Sequence, residues 1–343
     1  MNKILATALT AMLAIALIGC GAPAPAPDTE STAPAAGTGS DEGTVFTIGI
    51  SQFAEHGALD ASRDGFIDAL ADAGFTEGDN LKIALENAQG DTAVATQIAQ
   101  NFDTTGADLV YAIATPSAQS ALNVLGKKGT PVIYAAVTDP VSAGLANDDG
   151  TNAGEITGVS DALPLDVQAD LIKEMFPDAV KVGILYTPSE ANSIASIEEY
   201  QKLAPEYGFE LEIVGVSTFS DISGATDAIL PKVDVLANLT DNTIVSAMPT
   251  ILDKAIRAKV PVFGSEVAQV EQGALAGEGI DYYKLGRQAG EMAARILKGE
   301  KKASEIEFIS LAETSTSVNK KTAAEIGVTI PQPVLDRASE IFE

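Results

Sequence analysis

Polar residues able to hold a charged small molecule recur in this chain just after short apolar runs. Ser51, Gln52, Phe53, Glu55 and His56 follow the first run, with Leu59 one turn further on. Thr115 and Ser117 follow a later one, then Thr138 and Asp139, then Ser160 and Asp161. In the second half Tyr186, Glu190, Asn192 and Ser193 form one group and Asp241 and Asn242 another. Glu266 and Asp281 come after two further runs. The chemistry these types suit is recognition. Thr115 and Ser117 stand where a helix should begin, and free N–H groups with a favourable dipole suit a carboxylate there. Asp139, Asp241 and Glu266 suit an ammonium group. Donors on one wall and carboxylates on the other describe a site for a zwitterion. Each Ser, Thr, Asp or Asn at a helix start also suits a cap, so the signal lies in its recurrence.

Catalysis is a weaker reading. His56 beside Glu55 has the composition of a general base, but no Gly-x-Ser-x-Gly elbow is present and Cys20 is the single cysteine. One histidine and one cysteine exclude His-rich and Cys-rich metal sites, and no run is spaced as an EF-hand loop. No phosphate-binding P-loop occurs. The expectation is a binding protein without enzymatic activity, metal or cofactor.

The elements that position these groups follow from periodicity. Apolar strands are expected at 45–50, 81–86, 107–113, 131–136 and 156–159, alternating with amphipathic helices at 58–73, 92–105 and 117–126. The pattern repeats with strands at 181–186, 210–216, 233–238, 261–263 and 274–280. Its helices fall at 164–175, 189–207, 220–230, 243–258 and 283–297, the last closed by Gly299. Such alternation predicts an α/β protein with parallel sheets covered on both faces. About ten strands are many for one domain of ordinary size, so two doubly wound lobes are expected, changing near Ser160-Asp161. In such sheets ligands bind beyond the carboxyl ends of the strands, where the polar groups fall.

The first residues carry an address. Lys3 precedes an apolar stretch, Ile4–Ile18, too short for a membrane span. It ends in Leu17-Ile18-Gly19-Cys20, which resembles a bacterial lipobox. Residues 1–19 are expected to be a lipoprotein signal peptide, with Cys20 lipidated and holding the protein at the extracytoplasmic face of the membrane. Residues 20–44, rich in Ala, Pro, Thr, Gly and Ser, are expected to be a disordered tether. The formal charge of −27 argues against nucleic-acid binding and against docking on anionic lipid.

Two stretches carry a family resemblance. Residues 49–66, Gly49-Ile50-Ser51-Gln52-Phe53-Ala54-Glu55-His56-Gly57 through Phe66, resemble the opening of ABC-transporter substrate-binding proteins of the tryptophan/tyrosine type. That family usually has proline where Gly57 stands here. Residues 186–193, Tyr186-Thr187-Pro188-Ser189-Glu190-Ala191-Asn192-Ser193, resemble its second-lobe motif, which normally has Asn before the proline. The resemblance covers residues 45–335 and implies the type I periplasmic-binding-protein fold with three hinge crossings. It places lobe 1 at 45–160 and 283–311, and lobe 2 at 161–282 and 312–343. It implies a monomer serving an ABC permease and its ATPase subunits, with an amino acid, often aromatic, held between the lobes. Thr115 and Ser117 would then receive the carboxylate and Asp139 or Asp241 the ammonium. Phe53, Leu59 and Tyr186 would line the side-chain pocket, and Gln52, Glu55 and His56 would complete the wall. The same fold also serves branched amino acids, nucleosides, sugars and ligand-presenting sensors, and the sequence leaves these open.

Overall fold

The computed structural model describes residues 44–126, 128–311 and 313–343. The expected signal segment 1–19, Cys20 and all of the expected tether but Thr44 lie outside the described residues.

Two sheets organise the chain. The first contains β1 (Phe46–Gln52), β2 (Leu81–Asn87), β3 (Leu109–Ile113), β4 (Val132–Ala135) and β5 (Ile156–Ser160). A short later strand, β11 (Ile309–Ser310), joins its edge, giving the order β2-β1-β3-β4-β5-β11, parallel throughout. The second contains β6 (Lys181–Tyr186), β7 (Glu210–Gly215), β8 (Val235–Ala237), β9 (Val262–Gly264), β10 (Ala276–Ile280), β12 (Thr314–Asn319) and β13 (Glu340–Phe342). Its order is β7-β6-β8-β9-β10-β12-β13. Here β12 runs antiparallel to β10, a departure from the all-parallel expectation. Strand order reverses beside β1 in the first sheet and beside β6 in the second, so each sheet opens a crevice at its carboxyl edge.

The helices seal both faces. In the first lobe these are α1 (Gly57–Asp72), α2 (Thr92–Thr105) and α3 (Thr115–Leu125). The second has α4 (Leu165–Met175), α5 (Ala191–Tyr207), α6 (Ile222–Ile229), α7 (Asn242–Ser246), α8 (Met248–Ala258) and α9 (Val267–Gln272). Then α10 (Tyr282–Leu297) returns to lie against α1, and α11 (Lys320–Ile326) and α12 (Gln332–Arg337) finish the second lobe. The α1–α10 approach is close because glycines face it. A Cβ at Gly286 would stand 1.9 Å from the Ser62 carbonyl oxygen, and one at Gly65 2.1 Å from that of Tyr283. The chain passes between the lobes after β5, between β10 and α10, and between β11 and β12.

The expected single helix over 243–258 is two. Pro249 has no N–H to donate and its ring excludes the preceding turn, so the helix restarts at Met248 with the proline in its first turn. The segment expected as one helix at 220–230 is likewise a short α6 flanked by 3-10 turns.

Candidate functional site

Most of the polar strand ends of both lobes meet in one buried seam. From lobe 1 come Ser51, Gln52, His56, Thr115, Ser117 and Ser160, with Asp161 at the first crossing. From lobe 2 come Glu190, Asn192, Ser193, Asp241, Asn242 and Glu266. All are buried. The lobes touch where the Thr138 and Thr240 hydroxyls lie 3.1 Å apart, and where His56 Nε2 stands 3.5 Å from Asn242 Oδ1.

On the first wall, Ser51 Oγ donates to Ser117 Oγ at 3.3 Å, tying β1 to the start of α3. Gln52 is held by Arg63, which donates to Gln52 Oε1 and to Asp60, while Gln52 Nε2 donates to Asp60 and to the Ala54 carbonyl. No side chain caps α3, and Thr115 Oγ1 is buried without a partner among the described residues. Two alanines at the strand ends, Ala114 (φ 81) and Ala136 (φ 57), hold left-handed backbone. Strain of this kind costs about 1–3 kcal/mol and concentrates at ligand clamps.

On the second wall two carboxylates knit the cleft together. Asp241 accepts from Thr187 N and Thr187 Oγ1, from Ser193 Oγ and from Ile244 N, at 2.6–2.9 Å. Glu190 accepts from the backbone N–H and side chain of both Asn242 and Thr243, and from Asn192 Nδ2. Burial, then the neighbouring Glu190, pushes the Asp241 carboxyl up to about 7.

These bonds fix a tautomer. Asn242 turns Nδ2 to Glu190, so its Oδ1 faces His56. An oxygen there requires the hydrogen on His56 Nε2. Burial lowers the His56 pKa to about 4, so the ring is neutral and Nδ1 presents a bare lone pair. That atom is buried and unpartnered among the described residues, as are Asn192 Oδ1 and Glu266 Oε2. Among the described residues the seam therefore leaves these three atoms and the Thr115 hydroxyl without partners.

Near the crossings, Asp161 accepts from Thr138 Oγ1 at 3.1 Å and from the Tyr282 hydroxyl at 2.6 Å. Burial raises its pKa and raises that of Tyr282 well above the usual range. Glu266 is pushed up to about 8, by burial first and by Asp161 second.

The remaining expected residues divide. Thr138, Asp139 and Ser160 line a cavity of about 450 Å³ shared with Ser196 of α5 and Thr240. Asp139 is half-buried and accepts from Val141 N, Ser142 N and the Ser142 hydroxyl, so it acts as a turn cap. Glu55 is exposed and lines the outer mouth, a cavity of about 600 Å³ shared with Thr187 and Phe219. Phe53 and Leu59 lie in the hydrophobic core, with Tyr186 half-buried against it. Asp281 lines a cavity of about 560 Å³ with Glu266 and Tyr282 without being buried in the seam. It is exposed and caps α10 through Lys284 N, because the chain turns there toward solvent. Thr187, Thr240 and Tyr282 are seam residues that sequence reasoning left off its list of candidates. Tyr282 opens a helix directly after an expected site residue, the one signal that pointed to it.

Two doubly wound lobes with a polar seam at their strand ends define a periplasmic-binding-protein-like solute binder. The chain belongs to the ABC transporter substrate binding protein family, whose model matches residues 47–342. A tyrosine-binding protein from Clostridioides difficile (strain R20291) is 43% identical over 275 residues, 80% of this chain and 79% of the relative. The structure of an ABC domain in complex with L-Trp from Streptococcus pneumonia superposes with a TM-score of 0.83 at 35% identity, covering 87% of this chain and 100% of that one. The ligand-free, open structure of a substrate-binding protein with adhesive properties from Clostridium difficile gives 0.65 at 36% identity, covering 87% and 99%. Family members are extracytoplasmic, non-enzymatic components that hand a small molecule to an ABC permease. Among the described residues no helix is long and apolar enough to cross a membrane.

Proposed function

We propose that this protein is a lipid-anchored monomer that captures an aromatic amino acid, with tyrosine and tryptophan the first candidates, by closing its two lobes on the ligand. The observation that carries the reading is the set of buried atoms in the seam that find no partner among the described residues: His56 Nδ1, Thr115 Oγ1, Asn192 Oδ1 and Glu266 Oε2. A buried polar group without a partner costs about 1–3 kcal/mol, and these four sit on both lobes, so a ligand held between the lobes would offer them partners. The names of the tyrosine-binding and tryptophan-bound relatives support the aromatic class. The carboxylate is assigned to Thr115, Ser117 and the free N–H groups at the start of α3.

Residues 45–160 with 283–311 would move as one lobe and 161–282 with 312–343 as the other. At nearly equal identity this chain superposes better on the tryptophan-bound relative than on the open one, which supports reading the arrangement as closed. Cys20 would carry the lipid and residues 20–44 would tether the folded body. A thermal-shift screen on protein refolded from denaturant tests the ligand. A solute at ~100 times its Kd adds about 2.7 kcal/mol to stability. Tyrosine or tryptophan should raise the melting point; a rise with a sugar or nucleoside and none with any aromatic amino acid would reject the assignment.

A further inference from the structure

Asp139, Asp241 and Glu266 all suit an ammonium group by sequence, the family resemblance implies Asp139 or Asp241, and the structure commits both of these elsewhere. Asp241 receives four hydrogen bonds from its own lobe, two on each oxygen, which fills the acceptor sites of a carboxylate. Asp139 caps its own turn. Glu190, the other acid of the second wall, receives five.

Glu266 differs from all three. It is 2% exposed, and its Oε2 has no partner among the described residues. It lines a cavity of about 560 Å³ shared with Gly57 and Ala58 of the opposite lobe and with Tyr282. Asp161 lies close enough to raise its pKa, and the only bonds to the Asp161 side chain come from neutral hydroxyls. Among the described residues no lysine or arginine forms an ion pair with either acid, and Lys284, which lines the same cavity, pairs with Asp281 at 3.6 Å. Two buried acids without a cation form a place where positive charge is favoured. A neutral polyol would supply hydrogen bonds there and no charge.

We propose that Glu266, backed by Asp161, is the ammonium-recognising pair of the cleft and sets its preference for amine-bearing solutes. The inference rests on the reading that the seam holds a small zwitterion. The Glu266 carboxyl, pushed up to about 8, supports it, because an arriving ammonium would draw that group into its charged form and strengthen the contact.

The test compares calorimetric affinities of the wild type and Glu266→Gln for L-tyrosine and for 3-(4-hydroxyphenyl)propanoate, which lacks the amine. The wild type should prefer tyrosine by at least about 30-fold, the lower end of what losing one partner of a buried charge pair costs. Glu266→Gln should bring the two within a few-fold by weakening tyrosine alone. A variant that keeps the full preference overturns the proposal. Should Glu266→Gln fail to fold, Glu266→Asp is read instead. Its withdrawn charge should weaken tyrosine and spare the analogue, and equal losses count against the assignment. Aromatic specificity is tested apart, with the remaining L-amino acids and myo-inositol as probes. Glu266-dependent binding of a non-aromatic amino acid would sink the aromatic reading and keep this one. Binding of myo-inositol with none of the amino acids would sink both.

Discussion

Glu266 makes a prediction that needs no ligand. Its carboxyl moves from an ordinary 4.5 in an unfolded chain to about 8 in the folded one. Between those values the native state holds a proton that the unfolded state has released, so stability falls as pH rises. The contribution is fully present below about 4.5, declines by about 1.4 kcal/mol per pH unit, and levels off above about 8. The whole swing is on the order of 5 kcal/mol, a sizeable share of the roughly 5–15 kcal/mol that holds a typical protein folded. Glu266→Gln removes the titrating group while keeping its shape. Urea unfolding of ligand-stripped wild type and variant at pH 5, 6, 7, 8 and 9 isolates the difference. The variant should gain on the wild type steadily up to pH 8 and then run parallel. Asp161 and Asp241 are also raised and slope both curves the same way. Part of the difference belongs to Asp161, which is relieved of its neighbour. Two profiles that stay parallel from pH 5 to 9 would refute the idea that Glu266 is protonated in the native cleft.

Other outcomes follow from single contacts. Gly286→Ala places a Cβ 1.9 Å from the Ser62 carbonyl oxygen, and the forced separation of α1 and α10 should cost about 3 kcal/mol, read as a lowered Tm. Asp241→Ala removes the cap of α7 and strands the buried Thr187 N–H. It should destabilise the ligand-free protein by about 2–4 kcal/mol by urea unfolding, with any loss of affinity following from that disorder. Small-angle scattering of stripped protein should show compaction on adding ligand, and an unchanged profile at saturation would speak against a hinge. Cys20→Ser should move the protein from the membrane to the soluble fraction without changing its melting point.

The sheet architecture was legible because it depends on local periodicity. Runs such as Leu109–Ile113 and Val132–Ala135 are apolar on both faces, which suits only strands covered by helices on each side. The polar groups after them were legible for the same reason, since a strand end has one place in a doubly wound sheet. The tail after Ser310 was not. Its strand β12 reads Thr-Ser-Thr-Ser-Val-Asn, with no apolar alternation, and its place is given by pairing with β10 about 38 residues earlier in the chain. The break at Ala247 was written in Pro249, but the apolar period continues through it and hides the stop.

Composition and spacing by themselves determined that this chain builds two lobes on largely parallel sheets and carries polar groups at its strand ends. Which acid serves which purpose was decided by the tertiary structure alone. Asp241, Asp139 and Glu266 look alike in sequence, each an acid just past an apolar run. Asp241 is satisfied by Thr187 and Ser193, 54 and 48 residues away, while Glu266 meets Asp161 from another crossing and keeps an oxygen unpaired among the described residues. A carboxylate's role depends on the donors and charges within a few ångströms, and these are assembled only when distant strand ends converge.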